Sequence, residues 1–194
     1  YAQCTVLGGA VGIRTGYVKQ IEEIKQEVSV PVIGIIKQEY EGSDVYITPT
    51  LKEVKELIAS SCDVIALDCT RRARPKETLD ELVAYIRKNA PEKEIMADCD
   101  CMESAEEAAR LGFDYIGTTM RGYTAATKGM TIPDYDFIAA LVKKFPGVNI
   151  IAEGGIWEAG QLEKVWSLGV YAVVIGSAIT RPMDITRHFA KVIK

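Results

Sequence analysis

The sequence is short of the features that define several protein classes. It has one histidine, His188, and no run that approaches the ~18 apolar residues of a membrane-spanning helix. It contains no block of lysine and arginine, and its formal net charge is −4. These absences argue against a membrane span and against nucleic acid as a partner. We therefore expect a soluble protein that meets the charge of a small substrate locally, and a surface or packing role for His188.

Cysteine is present, but not in a pattern typical of secreted proteins. The five cysteines are Cys4, Cys62, Cys69, Cys99 and Cys101. An odd, scattered set predicts no disulfide framework and indicates a reducing, cytoplasmic compartment. A structural role is the simpler interpretation of Cys99 and Cys101, with a redox pair as the alternative. Zinc is disfavoured because the ligand spacings of zinc sites are absent.

The rest of the composition is that of an ordinary globular domain, with 48% hydrophobic and 26% charged residues in a chain of 194. Short apolar runs alternate with segments of helical periodicity, a pattern that predicts buried parallel strands covered by helices. The predicted strands are residues 10–14, 31–37, 64–68, 94–98, 115–119, 149–153 and 172–175. The predicted helices are residues 18–27, 51–60, 78–89, 104–111, 135–145, 158–168 and 183–193.

These seven strands are one fewer than the eight of a closed (β/α)8 TIM barrel. Residues 1–7 have the pattern of the second half of a helix. We therefore expect residues 1–194 to be a single α/β barrel domain that is N-terminally incomplete and lacks the first strand. An open doubly wound sheet is the alternative, but glycine-rich turns after the last two strands favour the barrel.

Two neighbouring strands end in glycine just before a helix. Glu153, Gly154 and Gly155 close one strand, and Gly176 and Ser177 follow the next. Glycine lets the backbone approach a dianion, and free N–H groups at a helix N-terminus attract negative charge. Either segment alone could be a plain turn, but the pair predicts a site for a phosphorylated metabolite.

Polar residues follow most of the predicted strands, at the end where barrels hold their active sites. They are Arg14, Lys37, Asp68, Asp98, Thr118, Thr119 and Glu153. Each alone could be a solvated loop residue. Lys37 ends the apolar run of residues 32–36, so we expect its ammonium group to be buried.

This set of side chains suits proton transfer at a carbon beside a carbonyl, with Lys37 as the base. A lysine base must be able to lose its proton near neutral pH. We expect burial beside Arg14 to favour the neutral form.

Several segments, in order along the chain, carry a resemblance to a known family. They are residues 8–14, 31–37, 45–50, 68–75, 96–98, 117–124, 151–154 and 174–182. Together they resemble the N-acetylmannosamine-6-phosphate 2-epimerases. The resemblance implies a ribulose-phosphate-binding (β/α)8 barrel that converts N-acetylmannosamine 6-phosphate to N-acetylglucosamine 6-phosphate in sialic acid catabolism. It also implies that the enzyme needs no metal or organic cofactor.

The resemblance further implies roles for individual residues. Lys37 matches the acid/base lysine, Glu153 the carboxylate that assists ring opening, and Arg14 and Asp98 match substrate contacts. The positions at the phosphate end are Gly154, Gly176, Ser177 and Arg181. The chain departs from the family at Gly155, where many relatives carry a basic residue, and in lacking the first strand with its substrate-binding glutamine.

Two other functions remain open on sequence grounds. One is a different ribulose-phosphate-type isomerase, which the segments around Lys37 and Glu153 fit poorly. The other is a degenerate barrel that binds a sugar phosphate without turnover. In each case the expected ligand is a small sugar phosphate, which for the epimerase is an amino sugar phosphate. The sequence leaves open whether the protein forms a homodimer.

Overall fold

The computed structural model describes residues 1–193 as strands that alternate with helices. The strands β1 to β7 are Ile13–Gly16, Val32–Ile35, Val64–Asp68, Glu94–Asp98, Tyr115–Gly117, Asn149–Glu153 and Ala172–Val174. The helices α1 to α9 are Ala2–Leu7, Val18–Glu27, Leu51–Ala59, Leu79–Asn89, Met102–Arg110, Tyr135–Lys144, Ala159–Ser167, Ser177–Thr180 and Pro182–Ala190.

The seven strands form one parallel sheet in chain order, from β1 to β7. The sheet curls into a nearly closed barrel with the helices outside, which confirms the predicted TIM-barrel class over the open doubly wound sheet. Within residues 1–193, β1 and β7 each pair with one neighbour only. All strands run the same way, so their carboxyl ends meet at one mouth of the barrel.

Side chains along the strands alternate between two apolar clusters. Val64, Ala66 and Met96 belong to the cluster inside the barrel. Ile65 and Leu67 belong to the larger cluster between the sheet and the helices. A strand has a side-chain period of two. Residues that lie two or four positions further along a strand from these inner residues therefore also face the barrel interior.

The helices α3 and α4 each begin at a capping box, which marks where the preceding loop ends. Thr50 precedes α3, and its backbone N–H donates to Glu53 at 3.0 Å. Thr78 precedes α4 and is paired with Glu81 in the same way, at 2.8 Å. Such caps satisfy backbone groups that a helix start leaves free.

The predicted bounds of the first two strands and of the fifth were wrong. The strand expected at residues 115–119 is Tyr115–Gly117. The strand expected at residues 10–14 is Ile13–Gly16, because the Ala10 N–H donates to Thr5 O at 2.9 Å and closes the end of α1 instead. The strand expected at residues 31–37 is Val32–Ile35. Ile36 leaves the ladder because its carbonyl accepts from the Thr48 N–H at 2.7 Å.

The last part of the chain contains a helix that the periodicity missed, Ser177–Thr180. It is a single turn, too short for a periodic signal. The packing role expected for His188 is confirmed, since its ring stacks on Trp157 with centroids 5.2 Å apart.

All five cysteines are free thiols, and Cys99 is fully buried. No helix among residues 1–193 is long and apolar enough to cross a membrane.

Candidate active site

An ion-pair network joins three strands at the mouth of the barrel. Arg14 of β1 donates to both carboxylate oxygens of Asp98 of β4, from Nη1 to Oδ1 at 2.9 Å and from Nη2 to Oδ2 at 2.7 Å. Its Nε lies 3.6 Å from Oε2 of Glu153 on β6. The three side chains are largely withdrawn from solvent. The structure therefore brings Arg14, Asp98 and Glu153 together as the sequence predicted.

Thr119 connects the two carboxylates of this network. Its hydroxyl donates to Asp98 Oδ1 at 2.6 Å and also lies 3.2 Å from Glu153 Oε2. A hydroxyl has one proton, so the Thr119 hydroxyl can donate to only one of the two carboxylates at a time.

The surroundings of Glu153 favour its protonated form. Burial raises the pKa of the Glu153 carboxyl, the charge of Arg14 lowers it in part, and the charge of Asp98 raises it further. The Thr119 hydrogen bond and the Lys37 ammonium are smaller influences that lower it. The balance leaves the pKa above its ordinary value, which makes Glu153 a group that can both hold and release a proton.

Arg14 remains charged despite its location. Burial by itself would lower the pKa of the guanidinium, but the charges of Asp98 and Glu153 and the hydrogen bond to Asp98 raise it above its ordinary value. Arg14 is therefore a fixed positive charge beside a carboxyl group that can exchange its proton.

Thr118 has a structural role at the same barrel mouth. Its hydroxyl donates to the Glu153 carbonyl and accepts from the Glu153 N–H, both at 2.9 Å. These bonds fix the end of β6 against β5 and hold the Glu153 side chain toward the interior.

Asp68 forms a separate cluster with the loop that follows β3. It is fully buried and accepts from the Thr70 hydroxyl at 2.6 Å and from Arg72 Nη2 at 2.5 Å. Burial raises the pKa of the Asp68 carboxyl, an effect that Thr70 and Arg72 partly offset. Asp68 is thus occupied within the protein, and its register partner is Asp98 of the network above.

The prediction that Lys37 is buried was wrong. Lys37 lies two residues beyond β2, and its side chain is exposed at the mouth. The chain leaves the sheet here because Lys37 forms an antiparallel bridge with Ile47 of the following loop. Its Nζ lies 5.9 Å from the centroid of the Tyr46 ring.

The predicted phosphate end has the expected backbone. β6 and β7 are neighbours, with Glu153 in register with Val174, so Gly154 and Gly176 follow adjacent strands. Within residues 1–193, the N–H groups of Gly154, Gly155, Gly176 and Ser177 donate to no acceptor in the protein. Free N–H groups at two adjacent strand ends suit an anion.

Arg181 is not part of the same arrangement. Its guanidinium is exposed and pairs with Asp184 in α9, at 3.7 Å. The structure therefore brings the glycines and Ser177 together and leaves Arg181 to one side.

Gly155 is required by the backbone around it. Its φ is +74°, and an added Cβ would lie 2.4 Å from the carbonyl carbon and oxygen of Ile132. The departure at this position therefore accompanies a close approach of the loop before α6, which leaves no room for a basic side chain.

Sequence reasoning gave no role to Tyr46, which lines a cavity together with Lys37. The Tyr46 ring is half-buried against the inner cluster, and the Arg72 guanidinium lies 5.9 Å from its centroid. Burial raises the pKa of the Tyr46 hydroxyl. Tyr46 comes from a loop after β2 rather than from a strand end, so reading the strand ends could not find it. Its only signal was its place in the segment of residues 45–50.

Comparison with known families matches the whole of residues 1–194 to the family model described as "Putative N-acetylmannosamine-6-phosphate epimerase". The chain belongs to this epimerase family. Its reaction class is isomerisation, as the sequence resemblance predicted. The family and fold expectations are thereby confirmed, whereas the roles of single residues remain predictions.

Individual relatives of this epimerase support the assignment. A curated relative from Staphylococcus carnosus (strain TM300), named "Putative N-acetylmannosamine-6-phosphate 2-epimerase", is 56% identical over 96% of this chain and 84% of its own length. A relative of the same name from Staphylococcus aureus (strain JH9) is 52% identical over 96% of this chain and 85% of its own length.

Solved structures agree with these sequence matches. The N-acetylmannosamine-6-phosphate 2-epimerase from Clostridium perfringens superposes with a TM-score of 0.94 at 42% identity, covering 98% of this chain and 82% of that one. A thiamine phosphate pyrophosphorylase from Pyrococcus furiosus superposes with a TM-score of 0.62 at 16% identity, over 99% of this chain and 87% of its own. The second match shows only that the barrel fold is shared.

Proposed function

We propose that this epimerase interconverts N-acetylmannosamine 6-phosphate and N-acetylglucosamine 6-phosphate by proton transfer at C2. We further propose that this reaction serves the breakdown of sialic acid and other amino sugars. The observation that carries the proposal is the Arg14–Asp98–Glu153 network at the barrel mouth, with its bidentate pair at 2.7 and 2.9 Å. The exposed Lys37 and the free N–H groups after β6 and β7 border the same mouth.

Ring opening is the first step of the proposed reaction. Protonated Glu153 gives a proton to the ring oxygen as the C1–O5 bond breaks, and the C1 hydroxyl proton passes to solvent water to give the aldehyde. The raised pKa of Glu153 supports the donor role, since its proton is retained above the usual range of a glutamate. Asp98 holds Arg14 in place by two hydrogen bonds throughout.

Epimerisation follows at the carbon beside the new aldehyde. The Lys37 amine removes the C2 proton, and the bonding electrons move to the aldehyde oxygen as an enolate. The fixed charge of Arg14 stabilises that oxygen. Return of a proton to the opposite face of C2 inverts the centre, and ring closure gives the product.

The phosphate group is proposed to bind at the ends of β6 and β7. The N–H groups of Gly154, Gly176 and Ser177 supply donors for a dianion. A phosphate fixed on this side of the barrel places the remote part of the sugar across the mouth, toward β2 and Lys37. Arg181 adds positive charge beside this region.

The test is incubation of the protein with N-acetylmannosamine 6-phosphate, followed by proton NMR. The epimerase proposal predicts growth of N-acetylglucosamine 6-phosphate signals to an equilibrium mixture, and little change in unphosphorylated N-acetylmannosamine. Binding by calorimetry without conversion would favour the non-catalytic barrel instead. Turnover of a ketose phosphate alone would favour another isomerase.

A further inference from the structure

We propose that Tyr46 is a positioning residue that orients the Lys37 side chain for proton transfer. The inference rests on the proposed function and adds to it a residue outside the strand-end set. It starts from the segment of residues 44–49, called the 44–49 strap below, which crosses the barrel mouth between β2 and β3.

The backbone of the 44–49 strap is bonded to both neighbouring strand ends. The Gln38 N–H donates to Tyr46 O at 3.0 Å, and the Thr48 N–H donates to Ile36 O at 2.7 Å. On the other side, the Asp68 N–H donates to Ile47 O at 3.1 Å. Lys37 and Tyr46 therefore have a fixed backbone relation, although neither belongs to a strand of the sheet.

Two arginines of the loop after β3 hold the strap at its two ends. Arg72 Nη1 donates to Asp44 O at 2.7 Å. Arg74 Nη2 donates to Thr48 O at 3.1 Å and to Pro49 O at 3.2 Å. Thr48 has φ +45°, a left-handed conformation that a threonine rarely adopts. Such a conformation persists only where the surroundings impose it, and here its effect is to set the course of the strap that carries Tyr46.

The Tyr46 ring has two cations close to it. The Lys37 Nζ and the Arg72 Cζ are each 5.9 Å from its centroid. The hydroxyl reaches the buried Met120 sulfur at 3.8 Å, so the ring is held at its far end as well. An aromatic face attracts an ammonium group within about 6 Å.

Because the Lys37 side chain is exposed, its contact with the Tyr46 ring can restrict its conformation. A free lysine side chain has four flexible bonds and populates many conformations. In the part of the chain that the structure describes, Lys37 Nζ has no carboxylate within ion-pair distance. The Tyr46 ring is thus the group that restricts where the amine points.

The experiment compares Tyr46→Leu, which removes the ring, with Tyr46→Phe, which keeps the ring and removes the hydroxyl. We expect kcat to fall by about tenfold or more in Tyr46→Leu with KM within about twofold, because a misplaced base slows chemistry more than binding. Tyr46→Phe should retain kcat within about twofold. Equal losses in both variants, or normal kcat in Tyr46→Leu, would overturn the proposal.

Tyr85 offers a matched control. The Lys55 ammonium lies 5.5 Å from the centroid of the Tyr85 ring, where α3 and α4 meet on the outside of the barrel. Tyr85→Leu removes a comparable cation–aromatic contact and should leave kcat unchanged. Thermal unfolding of all three variants shows whether a lost activity reflects lost folding.

A second readout does not depend on turnover. Lysines are reductively methylated with carbon-13 formaldehyde, and the Lys37 signal is assigned from its absence in Lys37→Arg. Tyr46→Leu should displace the Lys37 signal downfield by removing the aromatic ring, and Tyr46→Phe should not. An unmoved signal in Tyr46→Leu would overturn the positioning role even if the natural protein had a different activity.

Discussion

At the scale of single residues, Glu153 is an active-site carboxyl group whose pKa the fold raises. Its carboxyl lies at the barrel mouth near that of Asp98. Arg14 donates its two shortest hydrogen bonds to Asp98, at 2.7 and 2.9 Å. Glu153 receives only the longer contact of 3.6 Å from Arg14 Nε. The two carboxylates therefore differ in role, with Asp98 holding the Arg14 guanidinium and Glu153 able to exchange a proton.

The raised pKa of Glu153 predicts a pH dependence of stability. A carboxyl whose folded-state pKa is raised contributes stability that is complete below its ordinary value, 4.5, and is lost as pH rises through the raised value. The unfolding free energy of the wild type should therefore fall relative to that of Glu153→Gln as pH rises above 4.5. Urea unfolding at a series of pH values measures this difference. A difference that is constant with pH would contradict the assignment.

The sequence was enough to find the residues of this network but not their pairing. Arg14, Asp98 and Glu153 were predicted because each ends a strand at the same barrel mouth. Which carboxylate takes the arginine depends on barrel curvature, which no local pattern encodes. The burial of Lys37 was misjudged because the apolar run before it continues past the strand, into a bridge with a loop that has no strand signal.

At the scale of elements, the turn between β6 and α7 combines a binding role with a packing constraint. Gly154 and Gly155 have φ of +113° and +74°. Gly155 also lies against the Ile132 and Pro133 backbone, with an added Cβ placed 2.4 to 2.7 Å from those atoms. The turn is therefore shaped by the long loop before α6 as well as by any anion that it binds.

Gly155→Lys should destabilise the protein by about 2–4 kcal/mol, since the left-handed backbone and the Ile132 contact both oppose a side chain. Gly160→Ala is the control, because an added Cβ there meets nothing within 4 Å. It should change the unfolding free energy by no more than about 1 kcal/mol. Chemical denaturation measures both, and a stable Gly155→Lys would show that the loop before α6 yields easily.

Gly176→Val tests the phosphate end separately from folding. Gly176 has φ −100°, and an added Cβ meets nothing within 4 Å, so the backbone accepts a side chain. The side chain would cover N–H donors and raise KM for the phosphorylated sugar about tenfold or more. Residual turnover of the unphosphorylated sugar is the control and should change little. Equal losses on both sugars would remove the phosphate assignment.

The elements themselves were largely predictable, because a run of four or five buried residues followed by a helical period is a strong signal. All seven strands and the seven longest helices were found in order. The bounds of β1, β2 and β5 were not. β1 begins late because the Ala10 N–H bonds to the end of α1, β2 ends early because the 44–49 strap bonds to Ile36, and β5 ends at Gly117. The short helix Ser177–Thr180 was missed for lack of length.

At the scale of the whole molecule, the barrel of these residues has two edges. Within residues 1–193, β1 and β7 lack a second partner, and apolar side chains such as Leu7, Val11 and Tyr171 are exposed. Unpaired edges favour association between copies. The protein should therefore associate in solution through these edges. A monodisperse monomer by light scattering would contradict this expectation.

The central claim, proton transfer at C2 by Lys37, is tested most directly by hydrogen exchange. The natural protein is incubated with N-acetylmannosamine 6-phosphate in deuterated water, and the C2 proton is followed by NMR. We predict that the wild type replaces the C2 hydrogen with deuterium as it forms the epimer. Lys37→Ala should lose exchange and epimerisation together while it still binds the sugar phosphate by calorimetry. Epimerisation with full retention of the C2 hydrogen, or turnover of Lys37→Ala within tenfold of wild type, would contradict the mechanism.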